Sequence, residues 1–371
     1  MLKDKTVLVT GATGAIGCRL VEKLVLEQGA KVRCLVRNYN RCARIARFPV
    51  ETVLAQLDDK EGLDAAIAGC DVVFHCAYEW VAQKANITAA GLIADACQRH
   101  GARLVHVSTM AVYFPLPDGP VDEGARSEPN GKLYTDTKIA IEALVLDRVK
   151  NHRLEAAIVQ PAIVYGPFGA IWTDVPVKNL LAGEVVLPED AVGLCNAVYI
   201  DDVADAMILA AERKEAVGER FLVSGPRPVT WHAFYAAFEE AIGAKSVTLL
   251  PVAEIRRQNK NLVANLKLIL NEPKRLAQWP PLRKLLLFVY GKLGSGIRQK
   301  ALKLYHFRRK GAPREVFLPD EEQLALFSSR AEIRIDKARR LLGYEPAFDF
   351  DEGMRLTRAY VQWAYPQAAG E

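Results

Sequence analysis

Short apolar runs rich in Val, Leu and Ile alternate along this chain with longer stretches whose apolar positions recur every three to four residues. The runs Thr6–Val9, Lys31–Val36, Thr52–Leu57, Asp71–Cys76 and Arg103–Val107 read as buried strands, with Ala156–Val159 and Arg220–Val223 as later ones. Leu20, Val21, Leu24 and Val25 mark a helix that stops by Gln28-Gly29, and helical patterns cover about residues 60–69 and 85–99. Strands alternating with helices predict an α/β fold: a doubly wound parallel sheet with helices on both faces. Ligands of such sheets sit beyond the carboxyl ends of the strands, where Gly11, Arg37, Asp58, Ala77, Thr109 and Pro161 fall.

The turn after the first strand is Thr10-Gly11-Ala12-Thr13-Gly14-Ala15-Ile16-Gly17. Its glycines permit a tight turn, close approach of a pyrophosphate, and close packing of helix on strand. The helix that follows offers free N–H groups and a positive dipole end to phosphates. Strand, glycine turn and helix stand in the order a dinucleotide fingerprint requires.

A second constellation is Tyr134-Thr135-Asp136-Thr137-Lys138. A Tyr and a Lys four apart share one helix face. An ammonium beside a phenol favours the phenolate and lowers its pKa from about 10. The pair is therefore expected to transfer protons near neutral pH.

Composition fits an enzyme with a sizeable core. The chain has 371 residues, half of them hydrophobic, and no apolar run approaches a membrane span of about 18 residues. Its N-terminus enters the first strand directly, so no signal peptide is expected. The 7 cysteines are scattered, with no CxxC pair and no Cys/His cluster at metal spacing. That predicts free thiols in a reducing cytoplasm and no metal. The net charge of +5 conceals an uneven distribution: 251–315 holds 16 Lys and Arg against 3 Asp and Glu, +13, leaving −8 elsewhere. Nucleic acid is not the expected partner, since no binding module accompanies the charge.

Taken in order, the motifs resemble the extended short-chain dehydrogenases/reductases, in the NAD-dependent epimerase/dehydratase superfamily. The resemblance rests on the glycine turn, Leu57-Asp58, His75-Cys76-Ala77, Ser108-Thr109-Met110-Ala111-Val112-Tyr113 and the Tyr134/Lys138 stretch. It continues through Val164-Tyr165-Gly166-Pro167, Tyr199-Ile200-Asp201-Asp202-Val203-Ala204 and the tail from Lys337 to Pro346. It implies a Rossmann-type domain over 1–165, completed by about 197–225. A smaller substrate-binding lobe would comprise 166–196 and 226–371, including the basic segment 251–315. It also implies Tyr134 as the acid/base, Lys138 as its partner and ribose ligand, and Thr109 as a hydrogen bond to the reacting oxygen. Gly11, Thr13, Gly14, Ala15, Ile16, Gly17, Leu57, Asp58, Ala77, Pro161, Ile163 and Val164 would hold the cofactor. Tyr78, Met110, Asn196 and Trp172 would face the small-molecule substrate.

NAD enzymes usually end the second strand in an acidic residue; this chain has Arg37, with Arg41 four residues on. A guanidinium suits a 2′-phosphate, which favours NADP(H) over NAD(H). The alternative is a solvated arginine stacked on adenine, compatible with either. His75 follows a buried strand and is expected to pack rather than catalyse, and one of Asp201 and Asp202 is expected to cap a helix starting at Val203.

The expected reaction interconverts a secondary alcohol and a ketone, with a hydrophobic, steroid-, lipid- or polyketide-like substrate. Alternatives are a nucleotide-sugar epimerase or dehydratase with tightly held NAD, and a non-catalytic NADP(H) sensor. Against the epimerase, Asn196 stands where such enzymes carry a phosphate-binding arginine, although Arg330 could substitute. The tail resembles the 3β-hydroxysteroid dehydrogenase branch. Before it, 282–305 sets an apolar stripe beside Arg298, Lys300 and Lys303, a pattern that fits a peripheral membrane contact or an ordinary amphipathic helix with a solvated basic face. Homodimerisation through two helices of the nucleotide domain is common in the family.

Overall fold

The computed structural model describes residues 2–80, 83–260 and 315–366. The amphipathic stretch 282–305 and most of the basic segment 251–315 lie outside the described residues.

A seven-stranded sheet forms the body of the molecule. Its order is Arg220–Val223, Ala156–Pro161, Arg103–Val107, Val72–His75, Thr6–Thr10, Lys31–Val36, Glu51–Leu54. Every neighbouring pair is parallel. Strand alternation assigns each residue to one of two cores. Val7 and Val9 pack under the helices Ala15–Leu26 and Ile200–Glu212, while Leu8 packs on the other face under Lys60–Ile67, Gln83–His100 and Leu133–His152. Each fully buried Val or Leu there contributes about 1.5–3 kcal/mol through lost water contact.

The chain reverses its direction of winding between Thr6–Thr10 and Val72–His75, so the crevice of the sheet opens beside Gly11 and Ala77. Strand limits differ locally from the sequence reading. The third strand ends at Leu54, and Asp59, whose side chain accepts from the Gly62 N–H at 2.9 Å, caps the next helix. Leu57 and Asp58 therefore lie in a turn.

Neither Asp201 nor Asp202 is a cap, because the helix starts at Ile200. Both carboxylates sit in its first turn, where the positive dipole end favours them. Asp201 instead accepts two bonds from Arg19, at 2.7 and 2.6 Å, clamping this helix to the one after the glycine turn. Asp202 accepts from the N–H groups of Ala347, at 2.8 Å, and Phe348, at 3.4 Å.

The second lobe is a three-stranded parallel sheet, Val247–Leu250, Gly183–Pro188 and Glu315–Phe317, with the helices Val175–Ala182, Trp231–Ile242 and Phe350–Ala364. Its core gathers aromatic rings, with Trp231 in contact with Phe234, Phe327 and Trp172. Ile335, Ala338, Leu342 and Tyr344 pack back into the core of the main sheet, so the C-terminal stretch ties the two lobes together. Among the described residues no helix is long and apolar enough to cross a membrane.

Candidate active site

A cavity of about 670 Å³ opens at the carboxyl ends of the strands, between the two lobes. Its floor is the glycine turn. Gly11 adopts φ +68°, a left-handed conformation that costs a side-chain-bearing residue strain. A Cβ there would also lie 2.7 Å from the Ala77 nitrogen. At Gly17 a Cβ would meet the Gly11 carbonyl oxygen at 2.2 Å, so only glycine lets the helix lie so close to the turn. Gly14, before the helix Ala15–Leu26, is extended, and no side chain caps it. The helix N–H groups thus face the cavity without a side-chain cap, the cradle a pyrophosphate needs. Gly17→Ala is expected to destabilise the fold by about 1–3 kcal/mol, through forced backbone movement, and to weaken dinucleotide binding. Thermal melts with and without cofactor check both.

The catalytic set comes from two neighbouring elements. Thr109 follows the strand Arg103–Val107, while Tyr134 and Lys138 lie one turn apart on the helix Leu133–His152. All three line the cavity. Lys138 is only 4% exposed, its Nζ donates to the Val107 carbonyl at 2.7 Å, and it lies 4.8 Å from the centroid of the Tyr78 ring. Burial pushes its pKa down to about 8, with Glu142 opposing.

The phenol differs from the sequence expectation. Burial pushes Tyr134 up to about 12, against the pull of the Thr109 hydroxyl. The ammonium is instead committed to Val107 and the Tyr78 face. At neutral pH Tyr134 is therefore protonated and set to donate.

Of the expected cofactor residues, Gly11, Thr13, Gly14, Ala15, Ile16, Gly17, Arg37, Leu57, Ala77, Pro161 and Val164 line the cavity. Asp58 and Ile163 do not. Asp58 is exposed in its turn, and Ile163 is a buried strand residue whose N–H donates to the Asn196 carbonyl at 3.0 Å. Arg37 pairs with Glu79 across the end beside the second strand, where Asn38 and Arg41 also line the wall.

Among the expected substrate residues, Tyr78 and Trp172 reach the cavity, and Met110 and Asn196 do not. Met110 is buried in the core of the second lobe. Asn196 is spent on the main chain: its Nδ2 donates to Ala331 at 2.9 Å, and its Oδ1 accepts from the Ile333 N–H at 2.9 Å. His75 packs, as its buried strand predicts; its Nδ1 lies 2.8 Å from the Thr10 hydroxyl, and burial, with the Lys138 charge, pushes it down to about 3.

No sequence pattern marks Trp80 as part of the site. Its ring stacks on Tyr134, centroids 5.1 Å apart and planes 16° apart, and both rings meet Tyr78 edge-on. A lone Trp in a loop after a strand has no periodicity to mark it; only its place beside Tyr78 could have suggested it.

A model of the NAD dependent epimerase/dehydratase family matches residues 7–224. The chain is 29% identical over 251 residues to a 4-hydroxy-2-methyl-3-oxo-4-farnesyl-3,4-dihydroquinoline-1-oxide ketoreductase of Stigmatella aurantiaca, covering 64% of this chain and 73% of that one. It is 32% identical over 243 residues to cinnamoyl-CoA reductase 1 of Petunia hybrida, covering 58% and 72%. Its fold matches a UDP-glucose 4-epimerase of Thermotoga maritima with TM-score 0.67 and 19% identity, over 97% of this chain and 99% of that one. The glycine cradle, the parallel sheet and the match across the whole nucleotide-binding half lead to one conclusion: this chain belongs to the NAD-dependent epimerase/dehydratase family of the extended short-chain dehydrogenases/reductases, a family of NAD(P)-binding reductases, epimerases and dehydratases.

Proposed function

We propose that this protein is an NADP(H)-dependent reductase of ketones, working reversibly on the corresponding secondary alcohols, with an uncharged and largely apolar substrate. One observation carries the reading: the catalytic end of the cavity is walled by rings and apolar side chains. Tyr78 and Trp80 pack on the Tyr134 ring, and Ile171 and Trp172 line the same cavity. The cationic groups among the described lining residues are Arg37 and Arg41, at the far end, and Lys138 in the catalytic set. A nucleotide-sugar diphosphate needs counter-charges near the reacting sugar, and this wall offers a hydrophobic surface instead. One relative is a ketoreductase whose name carries a farnesyl dihydroquinoline, which agrees with such a wall.

The nicotinamide, when bound, supplies the hydride. The chain's own residues handle the oxygen. Tyr134, protonated at neutral pH, gives its proton to the carbonyl oxygen as the carbon is reduced. The Thr109 hydroxyl offers a second hydrogen bond that orients that oxygen, and the charge of Lys138 favours the phenolate left behind. A binding protein without catalysis needs none of these three groups.

Arg37 supports the choice of NADP(H). Its guanidinium lines the cavity at the end of the second strand, where a 2′-phosphate would lie, and could exchange Glu79 for it. Arg37→Glu is expected to weaken NADPH binding about tenfold or more and leave NADH binding nearly unchanged. Fluorescence titration with both cofactors checks this.

The test of the reading is to identify by mass spectrometry any cofactor released from denatured protein, then assay NADPH oxidation with a panel of aryl and alkyl ketones. The expected result is a site that exchanges its cofactor, with turnover on ketones. Stoichiometric NAD retained through purification, with conversion of UDP-glucose, would overturn it in favour of an epimerase.

A further inference from the structure

Beneath the catalytic pair lies a buried carboxylate that the chemistry above does not use. Tyr134, Lys138 and Glu142 follow one another at four-residue spacing down one face of the helix Leu133–His152. The first two line the cavity, while Glu142 is 3% exposed and sits below them. A carboxylate is almost never buried without partners. Here Gln160 Nε2 donates to Glu142 Oε1 at 2.8 Å, and the other face of Gln160 accepts from the buried Tyr113 hydroxyl at 2.9 Å. Arg220 Nη1 lies 3.7 Å from Glu142 Oε2, too far for a close pair, and its Nη2 donates to the Glu123 carbonyl at 3.1 Å.

Lys138 needs such a neighbour. Its ammonium is buried, and the other titratable groups around it cannot offset its charge at neutral pH. His75 and His106 are both pushed down by burial and stay neutral, and the Cys76 thiol is pushed up by burial. Tyr78 and Tyr134 are phenols raised by burial. Glu142 is the one carboxylate among the charged groups that act on Lys138. Burial pushes the Glu142 carboxyl up, and the Ser108 hydroxyl, Gln160, Arg220 and Lys138 all oppose it in favour of the ionised form.

We propose that Glu142 is a positioning residue for the catalytic lysine: its carboxylate, fixed by Gln160 one helical turn below, keeps Lys138 charged inside the protein. Gln160 also precedes Pro161, which lines the cavity, so the same bond fixes the strand end against the catalytic helix. The ketone-reductase reading gives this charge its use in turnover, but the charge on Lys138 can be measured without any substrate.

The experiment follows Lys138 by NMR of protein carrying 13Cε-lysine, its signal assigned by its loss in Lys138→Arg. Removing the carboxylate removes the attraction that holds the proton, so the midpoint must fall. In Glu142→Gln the ionisation midpoint is expected to drop by about one to two pH units, the range over which a nearby opposite charge moves a pKa. The high-pH limb of kcat/KM, expected to fall above about pH 8 in the wild type, should move down with it. Glu142→Asp, which keeps the charge, should restore most of the midpoint, and it also carries the test if Glu142→Gln does not fold. An unchanged midpoint in a folded Glu142→Gln protein, or a Glu142→Asp midpoint no higher than that of Glu142→Gln, would reduce Glu142 to a structural tie and overturn the proposal. Absence of ketone turnover in the wild type would sink the reductase reading, while the NMR midpoint would still decide the role of Glu142.

Discussion

Replacing Tyr134 by Phe is expected to lower kcat on a ketone substrate by about 10²–10⁴-fold, the usual contribution of a positioned proton donor. The substitution removes one oxygen and little else. The ring lies between Trp80, stacked at 5.1 Å, and the edge of Tyr78 at 5.2 Å, and phenylalanine keeps both contacts. The glycine cradle is untouched, so cofactor affinity should change by less than a few fold. Steady-state kinetics with cofactor titration separates the two effects. A kcat near that of the wild type would show that another group protonates the substrate.

Lys138→Met should also abolish most activity, by about 10²-fold or more, yet leave the protein at least as stable. The reasoning turns on sign. Lys138 is buried, and its pKa is pushed down to about 8 from the ordinary value near 10.4. A group whose charged form is disfavoured in the fold costs stability at pH below its folded pKa. The cost is relieved as pH rises through about 8 toward 10.4, where the unfolded chain also loses the proton. At pH 7 that cost is on the order of 1–3 kcal/mol, partly offset by the bond to Val107 that methionine cannot make. Methionine fills similar space without a charge. The expected result is a midpoint of thermal unfolding equal to or a few degrees above that of the wild type at pH 7, with the difference shrinking toward pH 10. A marked loss of stability would mean that the ammonium holds the fold together rather than serving catalysis.

These effects trace back to features of unequal legibility. The glycine turn and the Tyr134/Lys138 pair could be read directly, because each chemistry demands particular residue types at a short, fixed spacing. The strands of the sheet were legible because, buried on both faces, they form near-continuous apolar runs. The position of Asn196 in the order of motifs suggests a substrate contact. Its amide instead serves backbone groups of Ala331 and Ile333, which only the fold brings near. The Asp201-Asp202 pair misled for a related reason. Acidic residues suit both a cap and a first turn, and the clamp to Arg19 spans two helices far apart in the chain. The Tyr134 pKa runs up where the Tyr/Lys spacing suggests down, because spacing shows that a lysine is near but not how deeply the phenol is buried. Trp80, Glu142 and Gln160 come from a loop, a helix and a strand, and no local pattern links them.

The most direct test of the account is to supply NADPH carrying deuterium at C4 of the nicotinamide, in separate pro-R and pro-S forms, with an aryl ketone that the enzyme accepts. The account predicts one deuterium at the carbinol carbon of the product from one of the two forms, with one NADP⁺ released per alcohol formed. Product alcohol without deuterium from either form, or deuterium that stays on a cofactor never released while a sugar nucleotide is epimerised, would contradict it.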